Sequence, residues 1–129
     1  MLHDNDTIRE AIQLFIANEQ RAIRKYGNIN DWNVSNVTNM SHMFENSQFN
    51  QPLDNWNVSN VTNMSRMFFN TYSFNQPLNN WNVSNVTNMS DMFYRNTSFN
   101  QPLSNWNTSN VTDMSGMFFN TAPFNQPLD

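Results

Sequence analysis

Trp56-Asn57-Val58-Ser59-Asn60-Val61-Thr62-Asn63-Met64-Ser65-Arg66-Met67-Phe68 is a phrase that the chain repeats. It returns from Trp81 and from Trp106, and an earlier copy opens at Trp32, so the tryptophans stand 24, 25 and 25 residues apart. A second phrase, Phe-Asn-Gln-Pro-Leu, falls between copies at Phe49, Phe74, Phe99 and Phe124. A fixed period of about 20–50 residues is the signature of stacked repeat units. With each Trp as position zero, apolar residues recur at +2, +5, +8, +11 and +12. In the second copy these are Val58, Val61, Met64, Met67 and Phe68, completed by Phe74 and Leu78. Thr108 is the one departure at +2. A step of two suits a strand, and a step of three suits a turn or a tight helical piece. The spacing therefore predicts short strands over 53–58 and 60–64 and one turn of 3₁₀ or α-helix over 65–69. A corner follows at 74–77, where Pro77 fixes φ and gives up a donor.

The polar positions repeat as well. Asn57, Asn82 and Asn107 form one column, and Asn60, Asn85 and Asn110 another. Ser59, Ser84 and Ser109, then Thr62, Thr87 and Thr112, form two more. Such side chains satisfy turn backbone locally, and stacked Asn can bond along a column. Many of these residues spell Asn-X-Ser/Thr, the glycosylation acceptor. That pattern is discounted as a by-product of the repeat in a chain with no visible export signal.

Ahead of the repeat lies a helical lead-in. Residues 1–6 are polar and read as a frayed end. Thr7-Ile8-Arg9-Glu10 reads as a capping box, followed by Ile8, Ala11, Ile12 and Phe15 at helical spacing to about Ala17. Asn18 caps a second short helix, Glu19 to about Lys25, with Gly27 as its stop and Arg21, Arg24 and Lys25 toward its C-terminal end. A stack of coils needs its first apolar end covered. Residues 1–28 are therefore expected to form an N-terminal α-helical cap, and residues 29–129 four coils starting near Trp32, Trp56, Trp81 and Trp106.

The totals narrow the function classes. Only 12% of the residues are charged and the net charge is −4, which argues against nucleic-acid and anionic-membrane partners, since both require a basic surface. Fourteen per cent are aromatic, and their strict period argues against disorder. With no cysteine there is neither a disulfide framework nor thiolate chemistry. No apolar run approaches the roughly 20 residues of a membrane span. The N-terminus lacks the basic and apolar regions of a signal peptide, so an intracellular location is expected unless the chain is a piece of a surface protein.

The two phrases, Trp-Asn-Val-Ser-Asn-Val-Thr-Asn-Met-Ser-X-Met-Phe and Phe-Asn-Gln-Pro-Leu, resemble the BspA-like leucine-rich-repeat family in its roughly 25-residue variant, known from bacterial surface proteins, marine algae and large DNA viruses. The likeness covers about residues 29–129. The lead-in Tyr26-Gly27-Asn28-Ile29-Asn30-Asp31-Trp32 also resembles the family's approach to its first coil. It implies a right-handed, LRR-like solenoid of short β-strands and short helical turns. It implies surface display and protein or cell-surface interaction only loosely, and it carries over no catalytic residues.

Comparison of the copies singles out positions free to vary. Position +10 reads His42, Arg66, Asp91 and Gly116, a variation in charge that implies solvent exposure. Position +13 reads Glu45, Phe69, Tyr94 and Phe119. The three aromatics either cover a corner of the coil or form an exposed ladder that anchors a partner, aromatics being dominant in binding hot spots. The loop at Tyr72 varies most between copies and suits specificity. Candidate partner-binding residues are thus Phe69, Tyr94, Phe119, His42, Arg66, Asp91 and Tyr72. No catalytic, cofactor or metal site is expected: His3 falls in the end read as frayed, and Asp31, Asp54 and Asp113 stand apart among Asn columns. Ice or glycan binding by the Ser/Thr columns is a minor reading, since turn satisfaction explains them. The expected function is a non-enzymatic interaction or structural module, with an adhesin-type recognition protein as the alternative. The partner is an unknown protein or cell surface. End-to-end self-association through the last coil is a further expectation, because the chain stops at Leu128-Asp129 just before the next Trp falls due.

Overall fold

The structure is a computed structural model, and it describes residues 1–121. Two α-helices open it, α1 (Asn5–Ala17) and α2 (Glu19–Tyr26), followed by a single 3₁₀ turn over Ile29–Asp31. The α1 cap lies three residues earlier than the sequence reading put it. Asp4, not Thr7, is the N-cap: its carboxylate accepts from the Asp6 and Thr7 amides at 2.9 and 2.8 Å. The Thr7 hydroxyl accepts from the Asp4 amide in return at 2.9 Å. Ile8, Ala11, Ile12 and Phe15 form the buried stripe of α1. Asn18 caps α2 by accepting from the Arg21 amide at 3.1 Å, and Gly27, at φ +82°, ends it. That left-handed backbone is open to glycine at no steric cost.

Residues 1–6 are not a frayed end. The Leu2 backbone bridges Asn33 in parallel, and the His3 amide donates to the Asn33 carbonyl at 2.9 Å. The His3 ring is covered to 1% exposure between Tyr26 and Trp32. The Asn5 side-chain oxygen accepts from the Thr38 amide at 2.9 Å. Further along, the amides of Thr62, Thr87 and Thr112 each donate at 2.8 Å to a carbonyl 24 or 25 residues back, on Thr38, Thr62 and Thr87. Asn5 therefore supplies the acceptor that a preceding segment supplies elsewhere.

The expected LRR-like solenoid of short strands is overturned. Among the described residues the only regular elements are the helical ones, and there is no β-strand and no sheet. Pairing reduces to isolated bridges, Asn39 with Asn63, Asn63 with Asn88 and Asn88 with Asp113. The reason lies in the three-residue steps. Where a strand was predicted over 53–58, Trp56 N–H closes a turn onto the Leu53 carbonyl at 3.0 Å. Val61 N–H does the same onto Val58 at 3.0 Å, in a turn that runs into the strand predicted over 60–64. In the stretch read as helical, alternate amides divide the work. Met64, Arg66, Phe68 and Asn70 donate to Asn88, Ser90, Met92 and Tyr94 at 2.8–2.9 Å, while Met67, Phe69 and Thr71 turn back onto Met64, Arg66 and Phe68. Left-handed residues at +10 (His42, Arg66, Asp91, Gly116) and +14 (Asn46, Asn70, Arg95, Asn120) interrupt extension twice in each segment, four residues apart. The backbone is thus satisfied without forming a ladder of extended strands.

Side chains bind each segment to the one before. The indole N–H of Trp56, Trp81 and Trp106 donates to the carbonyls of Ile29, Leu53 and Leu78 at 2.7, 2.9 and 2.8 Å. Inside, Phe44, Phe68, Phe93 and Phe118 stack with centroids 5.6–5.8 Å apart, and Phe49, Phe74 and Phe99 stack at 6.0–6.1 Å. The two stacks also meet within each segment at 4.1–4.2 Å. Phe124 to Asp129, on which the expected terminal self-association rests, lie outside the described residues.

Candidate functional site

A third aromatic stack lies on the outside. Phe69, Tyr94 and Phe119 are nearly parallel, at 8° and 13°, with centroids 4.7 and 4.8 Å apart. Unlike the buried inner rings from Phe44 to Phe99, they are not sealed: Phe69 and Tyr94 are half-buried and Phe119 is 51% exposed. Tyr94 has a ring over each face, whereas Phe119, the last described ring of the stack, has one over a single face. The position is set by the backbone. Each ring sits at +13, between the left-handed residues at +10 and +14, and its carbonyl accepts the amide of the +14 residue one segment earlier.

Charged side chains close the stack at its first ring. The Arg66 guanidinium lies 4.0 Å from the Phe69 centroid, and its Nε is 3.4 Å from a Glu45 oxygen, within ion-pair reach but outside hydrogen-bonding geometry. The same Glu45 oxygen is 2.8 Å from His42 Nδ1. Arg95 lies over the Tyr94 ring at 5.5 Å. Beyond His42 and Glu45 the strip runs into a cleft of about 220 Å³ against α1, lined by Arg9, Ile12, Gln13, Ile16, His42, Met43 and Glu45. Of the six Lys and Arg residues, four lie in the helices, and the two in the repeat, Arg66 and Arg95, both sit on this strip.

Six of the seven candidates from the sequence, Phe69, Tyr94, Phe119, His42, Arg66 and Asp91, come together here. Tyr72 does not: it is 49% exposed and makes no ring contact with the column among the described residues. Variation at +10 has a backbone meaning beyond exposure. The Asp91 carboxylate lies where a Cβ on Gly116 would stand, with Tyr94 beside it, so Asp91 and Gly116 fit as a pair. Sequence reasoning missed three features. Arg95 belongs to the strip through +14. Asn96 is fully buried with its Nδ2 unpartnered, where Thr71 and Thr121 donate to the Phe44 and Phe93 carbonyls at 2.8 and 2.7 Å. His3 is a buried titratable group whose pKa is held below the usual histidine value, first by burial and then by the nearby N-terminal amine. Asp4 and Asp113 are held below the usual carboxylate range by the hydrogen bonds they accept, from Thr7 and Asp6 in one case and from Ser115 in the other.

A family model described as "Mycoplasma protein of unknown function, DUF285" matches residues 12–129. The chain belongs to this family. The match takes in the C-terminal part of α1 from Ile12, all of α2 and every Trp-led segment of the DUF285 chain. No curated protein and no solved structure matches it. Among the described residues, no helix is long and apolar enough to cross a membrane.

Proposed function

We propose that this DUF285 chain is a non-enzymatic interaction or structural module whose contact surface is the outer aromatic column. One observation carries the reading. The inner rings Phe44, Phe68, Phe93, Phe49, Phe74 and Phe99 are buried, whereas Phe69 and Tyr94 are only half-buried and Phe119 is 51% exposed. Partly exposed aromatics flanked by arginine match the composition of binding hot spots. The column anchors an unknown protein or cell-surface partner, and His42, Arg66, Arg95 and Asp91 form its polar border. An adhesin-type role is the finer form of the same proposal. It rests on the likeness of the repeated phrases to BspA-like surface proteins and on the exposed Tyr72 in the most variable loop.

A photo-cross-linking amino acid at Phe119, compared with the same group at exposed Asn55, tests the surface in the organism that makes the chain. A discrete adduct from position 119 alone is expected. Identical adducts from both sites, or none from 119, refute the column as the contact surface. Phe69→Ser, Tyr94→Ser and Phe119→Ser together abolish the adduct and lower the melting temperature by the lost stacking while leaving a cooperative transition, if the column serves binding. Loss of the folded state assigns it to the core instead.

A further inference from the structure

The Asn-X-Ser/Thr phrases of the repeat are not equivalent once the chain is folded. They fall in three columns: Asn33, Asn57, Asn82 and Asn107; Asn36, Asn60, Asn85 and Asn110; and Asn39, Asn63 and Asn88. Asn5 and Asn96 carry the same phrase elsewhere. Attachment of a sugar requires an accessible Asn amide nitrogen with a hydroxyl residue two positions on.

The first column meets that requirement. All four residues are exposed, and each Oδ1 accepts the amide of Ser35, Ser59, Ser84 or Ser109 at 3.1 Å. That turn holds the side chain through its oxygen. No Nδ2 in the column has a partner among the described residues. In the second column the Nδ2 groups of Asn60, Asn85 and Asn110 donate to the carbonyls of Ser35, Ser59 and Ser84 at 2.8, 2.8 and 2.7 Å. Asn36 makes no such bond to residues 1–6 and remains exposed with its amide unused. The third column is half-buried at the isolated bridges. Asn5 donates through Nδ2 to the Thr38 hydroxyl at 2.9 Å, and Asn96 is buried.

We propose that Asn33, Asn57, Asn82 and Asn107, joined by Asn36, are the asparagine-glycosylation acceptors of the folded chain, and that hydrogen bonding or burial shields the other Asn-X-Ser/Thr phrases. The co-substrate is a sugar activated as a phosphate or pyrophosphate ester. Asn Nδ2 forms the new bond to the anomeric carbon, and the bond from that carbon to the ester oxygen breaks. The phosphate group leaves with the electron pair, and one Nδ2 proton passes to a base of the transferase. Hydrogen-bonded backbones lie about 5 Å apart, so branched glycans on adjacent segments would collide. Single sugars, or alternate occupancy, are the forms this column accepts.

The test incubates the full chain with a soluble asparagine glucosyltransferase and UDP-glucose and maps occupancy by peptide mass spectrometry. A synthetic peptide spanning 55–70, accepted by the same enzyme, is the unstructured comparison. In the peptide, Asn57, Asn60 and Asn63 are modified at similar rates. In the folded chain, Asn33, Asn36, Asn57, Asn82 and Asn107 are modified at least tenfold faster than Asn60, Asn85 and Asn110, and Asn96 stays bare. Asn57→Gln removes one addition and leaves the others. Equal occupancy across the columns of the folded chain overturns the proposal. So does a folded chain refused at its first column while the peptide is accepted.

Discussion

Replacing Trp81 by Phe isolates the tie between neighbouring segments. The Trp81 indole N–H donates to the Leu53 carbonyl at 2.9 Å, and the residue is 2% exposed. That carbonyl also accepts from the Trp56 amide at 3.0 Å, so the substitution removes one of its two bonds and does not orphan it. The lost bond costs about 1 kcal/mol. The smaller ring leaves a void of roughly 35–40 Å³, worth about 1 kcal/mol more at ~24 cal/mol per Å³. The sum, about 2 kcal/mol, lowers Tm by roughly 6–10 °C for a domain of this size. Urea unfolding followed by circular dichroism measures it as a lower midpoint with an unchanged slope. Trp56→Phe shows a similar loss, because its indole reaches the Ile29 carbonyl in the same way at 2.7 Å. A loss below about 0.5 kcal/mol with an unchanged slope would show that the indoles do not tie the segments together.

Other outcomes follow from the same geometry. Gly116→Ala places a Cβ at φ +68° against the Asp91 carboxylate and destabilises by about 1–2 kcal/mol; Asp91→Gly in the same chain restores part of that loss in a urea titration. Arg66→Gln removes the guanidinium 4.0 Å from Phe69 and the partly exposed ion pair to Glu45, costing about 1 kcal/mol at most, and the cost shrinks in high salt. His3 has a folded pKa below its unfolded value, so its contribution is complete above the unfolded value near 6.5 and is lost as pH falls through the depressed folded value. Melting temperature therefore drops between pH 7 and pH 5, and His3→Phe flattens that drop.

The period, the buried apolar positions and the helical lead-in were legible because each rests on local pattern. Ile8, Ala11, Ile12 and Phe15 mark α1 by their spacing, and Asn18 and Gly27 mark the ends of α2 by their chemistry. The strands were misread because Trp56 and Val58 stand two apart, which suits extension, while the steps from Val58 to Val61, Met64 and Met67 are all threes. In the chain the first and last of those threes, Val58 to Val61 and Met64 to Met67, are closed turns, and the left-handed residues at +10 and +14 deny any strand its length. Arg66 and Arg95 give no hint of positive φ; His42, Asp91, Gly116 and the asparagines at 46, 70 and 120 were the available signal. His3 was misplaced because Met1-Leu2-His3-Asp4 carries no pattern of its own, and its burial depends on Tyr26 and Trp32, brought close only in the folded chain. The aromatic column was visible as a comparison of copies. Its flanking arginine at +14 was not, because no other copy has a charge there.

The account stands on Phe69, Tyr94 and Phe119 being stacked on one another and partly open to solvent. Nuclear Overhauser contacts between the three rings, measured with and without a soluble paramagnetic probe, test both halves of that claim. The account predicts ring-to-ring contacts from Phe69 to Tyr94 and from Tyr94 to Phe119, with edge protons bleached by the probe and those of Phe68 and Phe93 protected. Absence of contacts across the 25-residue interval, or outer rings as protected as the inner ones, would contradict it.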